Sequence, residues 1–168
     1  MGVFVPVKNR VMALVLIALL LAGCSDAIEQ PGATPWTPPA TQTPGAPWPD
    51  RVTADAGGVL AAPGFNAHID ATAPAWAEAA DSTVAELLNL NRGFDGPVAI
   101  YLHRDKTDDD PVLTVTLTKL GDDSIQAMRY RVVLHRETDG RFRFVSGERT
   151  QRCQSGRGHQ TFEAARCS

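Results

Sequence analysis

The chain has 168 residues, with 16 basic and 19 acidic side chains and a formal net charge of −3 at pH 7. This length suits one modest domain with a linker, and the acidic balance argues against a nucleic-acid partner. The charge is uneven, because residues 129–168 carry nine arginines against four acids, whereas residues 25–128 carry five basic against fifteen acidic side chains.

Residues 1–23 have the pattern of a secretory signal peptide. Lys8 and Arg10 precede an apolar run from Val11 to Ala22, which ends in small residues, as at a cleavage site. The run is shorter than the about 20 residues that a membrane span needs, so a transmembrane anchor is the weaker interpretation.

The tetrapeptide Leu21-Ala22-Gly23-Cys24 resembles the lipobox of bacterial lipoproteins. This resemblance implies cleavage before Cys24 and a diacylglycerol on its sulfur, with fatty acyl chains such as palmitate. Two or more acyl chains hold a protein stably on a membrane. We therefore expect an exported protein, anchored by lipid to the outer face of the cytoplasmic membrane.

With Cys24 lipidated, Cys153 and Cys167 remain. Disulfides persist in the oxidising space outside the cell, so we expect these two cysteines to be bonded. Closure of a 15-residue loop would contribute about 3 kcal/mol.

Residues 24–56 are predicted to form a flexible linker. Seven of the twelve prolines fall between residues 25 and 50, and such a composition buries too little apolar surface to fold alone. Trp36 and Trp48 are unusual in a spacer and could contact the membrane interface or the domain. Residues 57–168 would form a single domain closed by the disulfide loop.

The domain is predicted to begin with one or two helices. Phe65 and Ile69 lie four residues apart, as on one helix face, and Pro74 disfavours helix at Ala73. Helical spacing then recurs from Trp76 to Asn91 and ends by Gly93. Alternatively, Thr83-x-x-Glu86 is a capping box that starts a second, shorter helix.

Four strands are predicted to follow, beginning with Val98–Leu102 and Val112–Leu120. A hairpin turning at Asp122-Asp123 would set Leu117 against Met128, Val115 against Tyr130 and Leu113 against Val132, apolar against apolar. A three-residue loop, 138–140, with left-handed Gly140 would pair Leu134 with Phe144 and Arg136 with Phe142.

The predicted fold class is α+β, with one or two helices packed on a four-stranded antiparallel meander. In element order it is similar to cystatin-like and NTF2-like folds, although it carries no motif of either family. The C-terminal Cys-x-x-Gly-Arg-Gly-His-Gln-x-Phe…Cys stretch resembles a closing signature of uncharacterised exported proteins and lipoproteins of high-GC Gram-positive bacteria. That resemblance implies a fold unit and carries no activity.

The sheet face opposite the helices is the first candidate site. It would carry threonines and cationic residues, with Thr116 opposite Arg129 and Thr114 opposite Arg131. Guanidinium groups beside hydroxyls suit carboxylate or phosphate ligands, although a solvated polar face is the commoner outcome. The predicted members of this face are Thr114, Thr116, Thr118, Arg129, Arg131, His135, Arg141, Arg143 and Arg149.

The second candidate is the pair Arg157 and His159 within the cysteine loop. The pair has no nucleophile or carboxylate partner for catalysis, so a structural loop, with Phe162 filling the core, is the preferred interpretation.

No metal, cofactor or catalytic motif is predicted. Asp105, Asp108, Asp109 and Asp110 lack the spacing of a calcium loop, and the four histidines lack the spacing of a zinc site. We expect a non-catalytic envelope lipoprotein that binds a protein or an anionic polymer. The alternative is a small NTF2-like enzyme with a pocket between helix and sheet, lined by Tyr101, Tyr130 or His159.

Overall fold

The structure, a computed structural model, describes residues 32–37, 45–92, 94, 97–105 and 109–168. The predicted signal peptide and Cys24 lie outside these residues. Within them, no helix is long and apolar enough to span a membrane. The predicted α+β class is confirmed.

The strands are β1 (Thr34–Pro35), β2 (Thr53–Ala54), β3 (Leu60–Ala61), β4 (Ala99–Arg104), β5 (Val112–Thr118), β6 (Ile125–Arg136) and β7 (Phe142–Cys153). A five-stranded antiparallel sheet in the order β1-β4-β5-β6-β7 is joined by a two-stranded ribbon, β2-β3. The helices are α1 (Phe65–Thr72) and α2 (Ala80–Leu87), with 3₁₀ turns at Ala75–Glu78 and Leu90–Arg92.

The two helices are separated at Pro74, where the sequence predicts a break. Phe65 and Ile69 are both fully buried on α1, and the helix ends at a left-handed Ala73, with φ of +43°. The capping box at Thr83 is wrong, because α2 begins three residues earlier. The Thr83 hydroxyl instead donates to the carbonyl of Ala79 at 2.9 Å, one turn back.

Both predicted hairpin registers are confirmed. Leu117, Val115 and Leu113 pair with Met128, Tyr130 and Val132, and Leu134 pairs with Phe144 across a loop that contains left-handed Gly140. The first turn is longer than predicted, because pairing stops at Thr118 and Ala127. The Asp122 carboxylate organises this turn by accepting the N–H groups of Ser124 and Ile125, each at 2.7 Å.

A β-bulge at Val145 changes the second half of β7. Leu134 pairs with Phe144 but Val133 pairs with Ser146, so Val145 is an extra, exposed residue. Because side chains alternate between the two faces of a sheet, one extra residue moves every later side chain of the strand to the other face. Arg149 therefore pairs with Tyr130 on the helix-covered face, and its predicted place on the opposite face is wrong.

The core lies between the helices and one face of the sheet. Side chains from the helices and the 3₁₀ turn meet alternate residues of β5 and β6, and all are buried. They include Phe65, Ile69, Trp76, Val84, Leu87, Leu113, Val115, Val132 and Leu134.

The predicted linker contributes to this core. Trp48 is only 2% exposed, and its ring meets that of Phe65 edge to face at 5.0 Å between centroids. Thr34–Pro35 adds the edge strand β1 to β4, and the Trp36 N–H donates to the carbonyl of Ile100 at 2.8 Å. The two tryptophans supply the large apolar area that offsets the ordering of this segment.

Other segments cover the outer edge of β7. Asn66 exchanges two hydrogen bonds of 2.9 Å with the backbone of Phe144. Further along, the Gly58 carbonyl accepts from Arg149 at 2.7 Å, and Glu163 exchanges two bonds with Gln151. The edge is thereby closed to pairing with another chain along much of its length, and the C-terminal tail is fixed beside the sheet.

Candidate functional site

The candidate site lies on the sheet face opposite the core. Thr116 pairs with Arg129 and Thr114 with Arg131, as the predicted register requires. The threonines are nearly buried, with 3% exposure at Thr116 and 4% at Thr114. The threonine side chains therefore form a floor that longer neighbouring side chains cover. On a fully solvated sheet face they would be exposed.

Arg129 is held over this floor by two contacts. Its Nε donates to Thr116 Oγ1 at 3.4 Å, and its Cζ lies 3.7 Å from the centroid of the Phe162 ring. This cation–π geometry is favourable because the ring face is electron-rich. Phe162 therefore packs on the site, and its predicted place in the core is wrong.

Arg152 is a second cation of this site, which the sequence did not predict. It pairs with Ala127 in the row next to that of Arg129, so its side chain leaves the sheet on the same face. Its Nε and Nη2 atoms are buried and have no hydrogen-bond partner among the described residues. Burial, and then the nearby charge of Arg152, lower the pKa of Arg129.

Arg129 and Arg152 differ from four other arginines in having no close acidic partner among the described residues. Among the described residues, no carboxylate lies within 4.0 Å of the Arg129 or Arg152 guanidinium. Four other arginines each have a carboxylate within that distance; they are Arg104, Arg141, Arg143 and Arg157. Arg131 is exposed and sits directly across the strand pair from Glu148. The charges of Arg129 and Arg152 are thus not neutralised by a close carboxylate of the described residues.

Arg143 is predicted to belong to this face, but its guanidinium group pairs with two carboxylates away from Arg129. Its Nη2 lies 2.7 Å from Asp70 on α1 and 3.0 Å from Asp139 in the β6–β7 turn. These two carboxylates neutralise the guanidinium, so Arg143 joins α1 to the turn and lies apart from Arg129.

Arg157 and His159 lie in the tail loop, where the predicted Cys153–Cys167 disulfide is present. Arg157 Nη2 reaches Asp123 at 3.6 Å. The His159 ring nitrogens contact the carbonyls of Thr161 and Ala165 at 2.9 and 3.0 Å. The two side chains therefore engage different partners, which fits the structural interpretation of the loop.

One set of ligand atoms in the described residues is close enough for a metal, on Cys153, His159 and Cys167. The two sulfurs are bonded to each other, whereas a metal requires free thiolate and imidazole lone pairs. Both His159 nitrogens already face carbonyl oxygens. In this oxidised state the set does not fit a metal ion.

The acidic residues before β5 contact nearby histidines. Asp105 lies 3.0 Å from His103, and Asp110 lies 2.6 Å from His135. Asp108 is outside the described residues.

The residues of the alternative enzyme pocket are not brought together. Tyr101 pairs with Thr116 and Tyr130 pairs with Val115, and since alternate residues face opposite sides of a sheet, the two rings lie on different faces. His159 sits in the loop at the sheet edge. The space between helices and sheet is occupied by the large side chains of the core.

No protein-family model, curated protein or solved structure matches this chain. The role of the sheet face is therefore inferred from its own geometry and charge. Two adjacent guanidinium groups without carboxylate partners, over a floor of hydroxyls, can hold an oxyanion.

Proposed function

We propose that this chain is a non-catalytic, exported lipoprotein that binds an anionic partner in the cell envelope. A lipid on Cys24 would hold it at the outer face of the cytoplasmic membrane. The binding surface is the sheet face around Arg129 and Arg131, and the partner is an acidic polymer or the acidic surface of an envelope protein.

The observation that carries this proposal is the positive charge of Arg129, which has no carboxylate within 4.0 Å among the described residues. Arg129 is fixed by Thr116 and Phe162, both neutral, so the cation is positioned without being neutralised. A positioned cation loses little side-chain entropy when an anion arrives, which favours binding. The predicted signal peptide and the lipobox resemblance support a location of this surface outside the cell.

Binding of soluble polyanions tests the proposal. Polyphosphate and poly-glutamate serve as probes, and we expect affinity that falls as salt rises, because salt screens exposed charge. An Arg129→Glu/Arg131→Glu variant should bind at least about tenfold more weakly, since two attractions become repulsions.

The matched control is Arg149→Glu/Arg166→Glu, which makes the same change in net charge away from this face. It should bind nearly as well as the original protein. The proposal is wrong if neither polymer binds at low salt, or if the control loses as much affinity as the test variant.

A further inference from the structure

Arg152 presents an unusual edge of its guanidinium group. The two buried atoms without partners, Nε and Nη2, carry hydrogens that point in the same direction. This is the edge with which arginine holds two oxygens of one oxyanion at once. Buried donors of this kind are rarely left unsatisfied in a folded protein, and among the described residues Arg152 alone has two of them on one side chain. This edge has the donors that an oxyanion needs.

The cross-strand neighbours of Arg152 carry no acidic group. Its cross-strand neighbour is Ala127, and Ala127 in turn pairs with Thr118. Both neighbours are short and buried, so neither extends a carboxylate toward the guanidinium. The row of Arg129 is adjacent, and diagonal neighbours on paired strands lie about 7–8 Å apart. One small ligand can reach both cations.

We propose that Arg152 and Arg129 together bind a phosphate group, either inorganic phosphate or the terminal phosphate of a larger molecule. This inference rests on the proposed function and names its ligand chemistry. The Arg152 edge holds two of the phosphate oxygens. The Nη groups of Arg129 and the Thr116 hydroxyl, which accepts from Arg129 and keeps its own hydrogen, are available to the others.

Charge and donor number favour phosphate over carboxylate. Burial, and then the nearby charge of Arg152, lower the pKa of Arg129, and a dianion bound between the two guanidinium groups offsets that repulsion. A carboxylate offers two oxygens in one plane, whereas phosphate offers three or more around a tetrahedral centre. The donors of this site are the guanidinium groups of Arg129 and Arg152, on neighbouring strands, and the Thr116 hydroxyl. Donors from several directions suit a tetrahedral anion.

Titration of the folded protein with inorganic phosphate tests the inference. Binding is followed by calorimetry, with sodium acetate and sodium chloride at matched ionic strength as comparisons. We expect phosphate to bind, and acetate and chloride to bind at least about tenfold more weakly. Arg152→Gln should weaken phosphate binding about tenfold or more, as expected when a charge-assisted pair is lost.

Two further variants define the role of the edge. Arg152→Lys keeps the charge but lacks the planar fork, so it should also bind phosphate more weakly. Arg149→Gln, on the same strand but on the opposite face, should bind like the original protein. Equal phosphate affinity in Arg152→Gln and the original protein would overturn the inference, as would equal affinity for phosphate and acetate.

The original protein supplies a readout that does not depend on the stability of a variant. The Arg152 Nε–H resonance should shift on addition of phosphate and exchange more slowly with water. An unchanged resonance at saturating phosphate would overturn the inference. If phosphate fails while Arg129→Glu/Arg131→Glu still abolishes polymer binding, the ligand assignment is wrong and the proposed function stands.

Discussion

His159 holds the disulfide loop with both ring nitrogens. A neutral imidazole carries one N–H and can satisfy only one carbonyl, whereas the protonated ring donates to both. The carbonyls of Thr161 and Ala165 therefore raise the pKa of His159 above its ordinary value, and the charge of Glu163 adds to the effect. The loop is joined most firmly when this ring is charged.

This arrangement predicts a pH-dependent stability. A group whose pKa is raised in the folded state stabilises the fold below its unfolded pKa, and that stabilisation is lost as pH rises through the folded pKa. We expect His159→Gln to lower the free energy of unfolding more at pH 6 than at pH 8.5, as measured by urea denaturation.

The effect of His159 must be measured as the difference between the original protein and His159→Gln, because His135 also makes the stability fall as pH rises. A hydrogen bond donated to the Asp110 carboxylate raises the pKa of His135, so the original protein should lose stability with rising pH through both groups. A difference between the original protein and His159→Gln that is identical at the two pH values would contradict the role given to His159.

At the residue scale, the sequence predicted contacts that depend on local pattern. The alternation of Leu113, Val115 and Leu117 was enough to pair Thr116 with Arg129. Arg152 was missed because its face depends on the bulge at Val145, and nothing in the local pattern marks an exposed valine as an extra residue. The contact of Phe162 with Arg129 depends on the path of the tail, which no periodicity encodes.

Among the elements, the N-terminal segment departs furthest from expectation. Its proline content predicted an extended linker, and Thr34–Pro35 is indeed extended but pairs with β4. Composition could not distinguish a free segment from a docked one, because the difference depends on whether a site on the domain receives each tryptophan. The core between α1, α2 and the sheet contains such a site for Trp48.

Two substitutions measure what this segment contributes. Trp48→Ala should destabilise the fold by about 3–5 kcal/mol, the usual cost of removing a buried aromatic side chain. Trp36→Ala should cost less, because Trp36 is only partly buried. Urea denaturation followed by circular dichroism measures both. A Trp48→Ala variant as stable as the original protein would show that the segment does not belong to the folded unit.

For the molecule as a whole, the proposed lipid on Cys24 would decide where the binding face acts. Cys24→Ala should release the protein from the membrane into the medium, because the acyl chains supply the anchoring energy. Fractionation of cells and mass spectrometry of the N-terminal peptide measure the outcome. Membrane association that persists in Cys24→Ala would contradict the anchor.

The docking of β1 on the domain limits the distance between the domain and a lipid on Cys24. Gly32 is the eighth residue after Cys24, and its carbonyl contacts His103 at 3.2 Å. Fully extended, eight residues reach about 28 Å, whereas a free spacer to residue 57 would reach about 115 Å. The short tether would therefore hold the domain of a lipid-anchored copy close to the membrane surface. A phosphate-bearing partner would have to approach the bilayer to be bound.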